Sequence, residues 1–185
     1  MAKTNTTQYA ILGLLCHQPQ SGYDLKKMID TSIRFFWNEN YGHLYPILRR
    51  LEEAGLVTRE VEKNRGRPDR NIFSITKTGK RALQAWLAAQ PVDQPKRSEL
   101  LLKLFFGNQA NVQAMIPMIE SKKRQSEELL GQLGGISGTI SKQHGPDVPF
   151  WGITLSYGKH LAKAHLEWCD ETLRTLHKLA PKEAL

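Results

Sequence analysis

The chain has 185 residues, 40% of them hydrophobic, which excludes a disordered polar chain and allows one domain or two small ones. Its formal net charge is +8 at pH 7, and the excess is uneven: residues 1–90 hold 14 Lys and Arg against 8 Asp and Glu, residues 91–185 hold 12 against 10. The basic first half indicates a polyanionic partner for that half.

Nothing in the sequence predicts a membrane or secreted protein. No apolar run approaches the ~20 residues that span a bilayer, and residues 1–8 lack the apolar core of a signal peptide. Cys16 and Cys169 lie far apart in apolar stretches and are expected to be buried, reduced thiols. The expectation is a soluble cytoplasmic protein without a membrane contact.

Two helices are expected before residue 35. The apolar run Tyr9–Cys16 predicts the first. Ser21 and Asp24 have the spacing of a capping box, in which each side chain bonds the backbone amide of the other residue. The helix that they open buries Leu25 and carries Lys26 on its polar side.

A third helix, from Leu44 to Ala54, organises the first half of the chain. Asn40 is expected to cap it and Gly55 to end it. Its apolar residues recur at spacings of three and four and predict one buried stripe; they are Leu44, Ile47, Leu48, Leu51 and Ala54. The opposite side is polar and basic; it carries His43, Tyr45, Pro46, Arg49, Arg50 and Glu53.

That polar face has two interpretations of about equal weight when its residues are taken alone. Such a helix can lie in a DNA major groove, with cations against phosphates and polar tips against base edges. It can also be an ordinary solvent-exposed face with a small excess of basic residues.

The next segment favours the first interpretation. Residues 56–63 and 71–76 are β-branched and alternating, which predicts two strands. The turn between them contains Arg65, Arg67 and Arg70, so a hairpin with a basic tip is expected, although a merely cationic surface turn remains the alternative. Arginine suits the minor groove or its phosphates, because its guanidinium stays charged and offers several donors.

Thr76 starts a fourth helix that runs to Leu87. The order helix, helix, helix, strand, basic loop, strand, helix is that of a winged helix-turn-helix domain. The predicted fold class is therefore mainly α with a small β-hairpin wing, joined to a helical second domain. Residues 1–90 form the first domain, residues 91–97 a proline-containing linker, and residues 98–185 the second domain.

The second domain is expected to contain three helices. A short one lies within residues 98–107, a long one runs from about Asn111 to Leu133, and the last runs from Pro149 to Leu179 after a loop that contains Gly134. The last helix has two apolar seams. The first contains Phe150, Ile153, Tyr157, Leu161, Ala164 and Trp168, and the second contains Leu155, Ala162, Leu166, Cys169, Leu173 and Leu176. One can pack on the helix from Asn111, and the other, exposed in a monomer, predicts a dimer interface. Which seam faces the partner is left open; the interface candidates are Tyr157, Leu161, Ala162, Leu166, Trp168 and Leu173.

Several stretches of the chain resemble the PadR family of bacterial transcriptional regulators. The matching stretches are Ile11–Leu15, Ser21–Leu25, Gly42–Val57, Gly66–Arg70 and Ile75–Gly79, with a looser match at Ser98–Phe106 and Trp151–Trp168 to the C-terminal domain of phenolic-acid repressors and virulence activators. The resemblance implies a homodimer whose winged domains bind an inverted repeat in double-stranded DNA, most often as a repressor. It also implies DNA-contacting roles for Tyr45, His43, Pro46, Arg49 and the arginines of the wing.

In the phenolic-acid branch of the family, a small aromatic acid binds between the domains and releases the DNA. The residues nominated here for such an effector are expected where the two domains meet: Trp37, Trp86, Lys103, Phe105, Phe106 and Trp151. Plain core packing is the alternative for all of these aromatic residues, and the cluster Phe35–Trp37 is expected to fill the core under a loop.

No catalytic constellation and no cofactor motif stand out. Gly134 and Gly135 lack a following Lys-Ser/Thr, and His165 with Cys169 is at most half of a metal site, more simply a buried thiol beside a histidine. The chain is expected not to be an enzyme. Two alternatives remain open: an activator that works with a second DNA-bound protein and no small ligand, and a dimeric adaptor whose winged domain binds protein.

Overall fold

The computed structural model describes residues 6–37, 44–63, 69–92 and 97–180, and the chain divides into two compact units, Met1–Asp93 and Gln94–Leu185. The expected class, mainly α with a small β-hairpin, is confirmed. The first unit contains α1 (Thr7–Leu15), β1 (Gln20–Ser21), α2 (Gly22–Thr31), α3 (Leu44–Glu53), β2 (Val57–Glu62), β3 (Arg70–Ile75) and α4 (Lys77–Ala88).

The sheet of the first unit has the order β1-β3-β2 and is antiparallel. The pair β2 and β3 is the predicted hairpin, with Val57 opposite Ile75 and Glu62 opposite Arg70. Strand β1 was not predicted, because two residues cannot show an alternating pattern. It exists because Gln20 pairs with Phe73, far away in the sequence.

Local signals fix the ends of the helices that frame the site. The capping box at the start of α2 is confirmed: the Asp24 amide donates to Ser21 Oγ at 3.2 Å, and the Ser21 amide donates to Asp24 Oδ2 at 3.4 Å. Gly55 follows α3 with φ +67°, a left-handed conformation that a glycine adopts without strain.

One face of α3 is buried in the core of the first unit and the other is exposed. The predicted stripe is confirmed for Leu44, Ile47, Leu48 and Leu51, and the core also includes residues of α1 and α2 with Val57, Phe73 and Leu83. Ala54 was wrongly included, because α3 ends at Glu53 and Ala54 lies exposed beyond that end. The stripe therefore determines which side chains α3 presents outward.

The aromatic cluster Phe35–Trp37 is not core filler. Phe36 is 58% exposed and its two neighbours are half-buried, in and just after a short 3-10 turn at Ile33–Phe35. Trp37 Nε1 donates to Thr7 Oγ1 at 3.4 Å, so this side chain lies against the start of α1.

The second unit contains α5 (Glu99–Phe105), α6 (Ile116–Ile140) and α7 (Val148–Leu179), with 3-10 turns at Gly107–Gln109 and Val112–Ala114. The helix expected from Asn111 starts five residues later, with Pro117 in its first turn, where the missing amide has no intrahelical partner to lose.

The predicted loop after Leu133 was wrong in its first part, since α6 continues through Gly134 and Gly135 to Ile140. A glycine weakens a helix by only about 1 kcal/mol. Packing outweighs this loss of helix stability here. Leu133 of α6 is buried, and its Cδ1 lies 3.1 Å from where a Cβ at Gly158 of α7 would stand.

Helix α7 packs on α6 through the second of its two predicted seams. Ala162 and Cys169 are fully buried and Leu176 is nearly so. Ala162 was therefore wrongly assigned to a dimer interface, because its side chain has no surface left to offer a partner. Trp168 and Leu173 are half-buried against the core of this unit, and Leu166 is also half-buried.

The first seam of α7 remains exposed along the first half of the helix. Four large apolar side chains at helical spacing share this face: Phe150 (67% exposed), Ile153 (65%), Tyr157 (59%) and Leu161 (41%). We call these four residues the α7 stripe.

Candidate nucleic-acid interface

The exposed face of α3 carries the residues that the sequence analysis assigned to DNA. Tyr45, Pro46, Arg49 and Arg50 are all exposed, opposite the buried stripe, and Lys26 is exposed on α2. His43, Arg65 and Arg67 lie outside the described residues, and their assignments stay predictions.

Tyr45 lies against the beginning of α2. Its side chain is 60% exposed, yet a Cβ added at Gly22 would stand 2.8 Å from its Cε1 and 3.1 Å from its hydroxyl. Gly22 therefore provides the space that the tyrosine ring occupies. The ring lies against Gly22 on one side, and the side chain is otherwise largely exposed.

The two arginines of α3 are each held by a contact within the helix. Arg49 Nε donates to Glu53 Oε1 at 2.9 Å, and both side chains are largely exposed, at 80% and 60%. Arg50 Nε donates to the carbonyl oxygen of Pro46 at 3.3 Å. In the described part of the chain the terminal nitrogens of Arg49 make no hydrogen bond, so they can form the planar fork that binds guanine edges or phosphates.

An open groove of about 530 Å³ lies between α3 and the hairpin. Its lining comes from both elements: Tyr45, Arg49, Glu52, Glu53, Arg59, Asn71 and Phe73.

Arg59 is a residue of this groove that the sequence analysis missed. It stands opposite Phe73 in the ladder, and its Nε donates to Glu52 Oε1 of α3 at 3.2 Å. Strand alternation could have identified Arg59 from the sequence. Residues two apart in a strand share a face, and Val57, two residues before Arg59, is buried, so Arg59 lies on the same face as this core residue.

Arg70 is not at the tip of the hairpin. It is the first residue of β3, and its Nη2 donates to Asp24 Oδ2 at 2.6 Å and to Ser21 Oγ at 3.1 Å. Hydrogen bonds from Ser21 and the Arg70 guanidinium together hold the pKa of Asp24 below its ordinary value. Arg70 thus joins the end of the hairpin at Glu62, its partner in β2, to the capped end of α2, and a DNA contact by it stays a prediction.

The residues nominated for an effector have these environments within their own units. In the first unit Trp86, 37% exposed, stacks on Tyr9 with centroids 4.7 Å apart and an interplanar angle of 5°. Trp37 has the Thr7 contact described above. No described feature assigns either tryptophan to a ligand.

In the second unit Phe105 and Phe106 meet edge to face at 5.1 Å and are 81% and 57% exposed. Lys103 Nζ lies 2.7 Å from Glu99 Oε1, and Trp151 is 38% exposed. The structure therefore brings the two phenylalanines together and places the nominated cation in an ion pair, while the effector role stays a prediction.

His165 and Cys169 lie on the packed side of α7. Burial lowers the pKa of His165 and raises the pKa of the Cys169 thiol, so both groups favour their neutral forms. Among the described residues no group of three or more His, Cys, Asp or Glu side chains could hold a metal ion. No helix in the described ranges combines the length and apolar character needed to cross a membrane.

Two family models match the chain in adjacent ranges. Residues 11–85 match the transcriptional regulator PadR-like family, and residues 96–177 match the virulence activator alpha C-terminal domain. The negative transcriptional regulator PadR of Bacillus subtilis is 24% identical over 180 residues, which are 92% of this chain and 97% of that protein.

Solved structures agree with this fold. A protein of Streptococcus mutans is 32% identical with a TM-score of 0.78, covering 90% of this chain and 98% of its own. Bacillus subtilis PadR in complex with operator DNA has a TM-score of 0.82 at 24% identity, with 93% and 99% covered. The Vibrio cholerae virulence activator AphA has a TM-score of 0.76 at 24% identity, with 94% and 99% covered.

The family models, the sequence relative and the winged arrangement of α3 with β2 and β3 agree with each other and with the resemblance found in the sequence. They identify a DNA-binding regulator and not an enzyme. The chain belongs to the PadR-like family of transcriptional regulators.

Proposed function

We propose that the chain is a homodimeric repressor that binds an inverted-repeat operator and leaves it when a small effector binds. The observation that carries the DNA-binding part is the exposed face of α3, where Tyr45 and Arg49 line one groove with Arg59 of the hairpin. A recognition helix held by its buried stripe can enter a major groove, and the hairpin lies beside it against the backbone.

Homodimerisation is supported by the α7 stripe. Its four large side chains, from Phe150 to Leu161, are 41% to 67% exposed at helical spacing, and such a face is commonly covered by another chain. Two recognition helices in one dimer would then contact half-sites about one DNA turn (~34 Å) apart.

Control by an effector is supported by a relative. Bacillus subtilis PadR has been solved in complex with p-coumaric acid, at 24% identity to this chain. An aromatic carboxylic acid is therefore the first effector to test. Repression is supported by the same relative, whose function is that of a negative regulator.

Activation is the second candidate. The match of residues 96–177 to the virulence activator domain and the likeness to AphA favour it. An activator of this kind would bind DNA through the same α3 face and would need a second DNA-bound protein instead of a small ligand.

The test is a gel-shift titration on the DNA upstream of the protein's own gene, at two salt concentrations, with and without p-coumaric acid. A sharp shift that weakens with salt and is released by the acid supports the repressor. A shift that ignores the acid keeps DNA binding and favours the activator or another effector. The absence of a shift at either salt concentration would favour a protein-binding adaptor.

Substitutions test the assignment of the face. Arg49→Ala should lower operator affinity by about 1–3 kcal/mol and relax preference at one base pair if the guanidinium contacts a base. Arg67→Ala, between β2 and β3 in the sequence, should instead weaken binding to all DNA sequences alike and reduce the salt slope by about one. Arg124→Ala, an exposed arginine of α6, removes the same charge from the second unit and is the matched control. Operator binding equal to the parent for both test variants would place the interface elsewhere.

A further inference from the structure

Among the residues that the structure describes, those lining the groove between α3 and the hairpin have no net charge, although the first half of the chain is strongly basic. Its charged lining residues are two arginines and two glutamates, Arg49, Arg59, Glu52 and Glu53. A surface that binds DNA by phosphate attraction alone would have no use for carboxylates, because each one repels the backbone and cancels a cation.

The carboxylates are paired one to one with the arginines. Glu53 Oε1 accepts from Arg49 Nε at 2.9 Å, and Glu52 Oε1 accepts from Arg59 Nε at 3.2 Å. The first pair lies within α3, and the second joins α3 to β2 across the groove. Both acceptors come from consecutive residues at the end of the helix.

Both pairs are expected to contribute little to the stability of the fold. The side chains of Arg49 and Glu53 are 80% and 60% exposed, and those of Arg59 and Glu52 are 47% and 34% exposed. Exposed ion pairs of this kind contribute little to stability, since water and salt screen them. Their effect is on the charge and orientation of the groove.

Both glutamates bind the Nε atom of their arginine. In the described ranges the terminal nitrogens of both side chains make no hydrogen bond, and both arginines line the groove, so these nitrogens are available to a ligand there. The glutamates therefore lower the charge that arbitrary DNA would meet while leaving available the donors that recognise a base edge.

We propose that Glu52 and Glu53 are specificity-determining residues, which neutralise Arg59 and Arg49 so that duplex without matching bases is bound weakly. On an operator, base contacts add the attraction that the cancelled charge no longer supplies. This inference rests on the proposed function, because it takes the groove as the DNA-facing surface.

The proposal predicts a change in the ratio of affinities. Removing one carboxylate restores about one effective cation, so Glu53→Gln should raise the affinity for non-cognate DNA about five- to tenfold near 0.1 M salt and steepen the salt slope by up to ~0.9. Glu52→Gln should act in the same direction. Operator affinity should rise less, and the ratio of operator to non-cognate affinity should fall.

The control is Glu99→Gln. Glu99 forms a similar exposed ion pair with Lys103, at 2.7 Å and four residues apart, but on α5 of the second unit. The Glu99→Gln variant changes the net charge of the chain by the same amount, so any effect of overall charge on DNA affinity should be seen with this variant too.

The experiment measures fluorescence anisotropy of full-length parent and variants on two labelled duplexes at four salt concentrations. One duplex is the upstream fragment of the protein's own gene, and the other is its scrambled sequence with equal length and composition. A rise on the scrambled duplex for Glu53→Gln and Glu52→Gln that exceeds that of Glu99→Gln supports the proposal. Equal effects of all three would overturn it.

The measurements on the two duplexes also distinguish a failure of this proposal from a failure of the proposed function. A parent that binds both duplexes equally at every salt concentration removes the operator-specific function, while the scrambled arm still decides whether the glutamates reduce attraction to phosphates. A parent that prefers the upstream fragment, with a ratio unchanged in both glutamate variants, keeps the function and refutes the role of the glutamates. A parent that binds neither duplex overturns both.

Glu53→Ala distinguishes charge from orientation. Glutamine keeps an oxygen that accepts the Nε hydrogen bond of Arg49, whereas alanine does not. If the carboxylate also orients the fork, Glu53→Ala should match Glu53→Gln on the scrambled duplex and bind the upstream fragment several-fold more weakly. Identical behaviour of the two variants would limit the role of Glu53 to charge.

Discussion

A single added methyl group at Gly79 should destabilise the first unit. Gly79 lies in the first turn of α4, and its amide donates to Oγ1 of the capping Thr76 at 3.0 Å. A Cβ at this position would stand 2.1 Å from the carbonyl oxygen of Leu56 and 2.9 Å from Cγ1 of Ile75. The first atom belongs to the backbone and cannot rotate away, so α4 or the chain at Leu56 must move by about 1 Å.

The size of the effect follows from what that movement disturbs. Overpacking a well-packed site weakens a protein by about 1–3 kcal/mol. The Leu56 carbonyl also accepts the Thr76 amide at 3.0 Å, and losing that bond adds about 1 kcal/mol. Better helix propensity of alanine returns up to ~1 kcal/mol. We expect Gly79→Ala to lower the free energy of unfolding by about 2–3 kcal/mol.

Equilibrium unfolding in urea, followed by tryptophan fluorescence and far-ultraviolet circular dichroism, measures this loss. With an m-value of roughly 1–3 kcal/mol/M, the midpoint should fall by about 0.7–3 M. Gly131→Ala in α6 is the matched substitution, because a Cβ there meets nothing within 4 Å. It should leave stability unchanged or raise it by up to ~1 kcal/mol. A Gly79→Ala variant within ~0.5 kcal/mol of the parent would refute the close approach of α4 to Leu56.

Three further predictions concern the interface, pH and assembly. Gly22→Ala places a Cβ 2.8 Å from Cε1 of Tyr45, so the exposed ring must turn away. The affinity for DNA in a gel shift should fall about three- to tenfold, while the circular dichroism spectrum stays the same. Unchanged affinity would show that Tyr45 does not contact the DNA. The capping serine and Arg70 hold the pKa of Asp24 low in the folded protein. The contribution of the ionised Asp24 to folding stability is therefore complete above the unfolded pKa of about 3.9, and it is lost as the pH falls through the lower folded pKa. The stability advantage of the parent over Asp24→Asn, at most ~1 kcal/mol for this exposed pair, should therefore shrink in urea titrations from pH 5 to pH 3, and a constant difference would contradict the linkage. Tyr157→Glu, in the exposed α7 stripe, should shift the light-scattering mass from dimer to monomer, and an unchanged dimer mass would move the interface to another face.

Much of the first unit could be predicted from the sequence because its signals are local. The spacing of Leu44, Ile47, Leu48 and Leu51 determined which face of α3 is buried, and therefore which residues it presents outward. The capping box at Ser21 and the left-handed Gly55 also depend on residues a few positions apart. Neighbours that close in sequence meet in any fold that keeps the helix.

The second unit was harder, because helical periodicity does not say which of two apolar seams finds a partner. The pattern alone left both seams of α7 open, so interface candidates were taken from both, and one of them, Ala162, lies on the seam that is buried. The same weakness explains the missed end of α6, where glycine-rich sequence favours a loop but packing at Leu133 keeps the helix. Burial is a property of the assembled core, so it can outweigh a propensity difference of about 1 kcal/mol.

The order of the main helices and of the hairpin, the outward face of α3 and the regulator family follow from periodicity, caps and motifs along the chain. The ion pairs between different elements follow only from the folded arrangement. It joined Arg70 to Asp24, 46 positions away, and set Arg59 against Glu52 in the groove. Ion pairs between different elements depend on where the backbone carries them, and no spacing in the sequence encodes that distance.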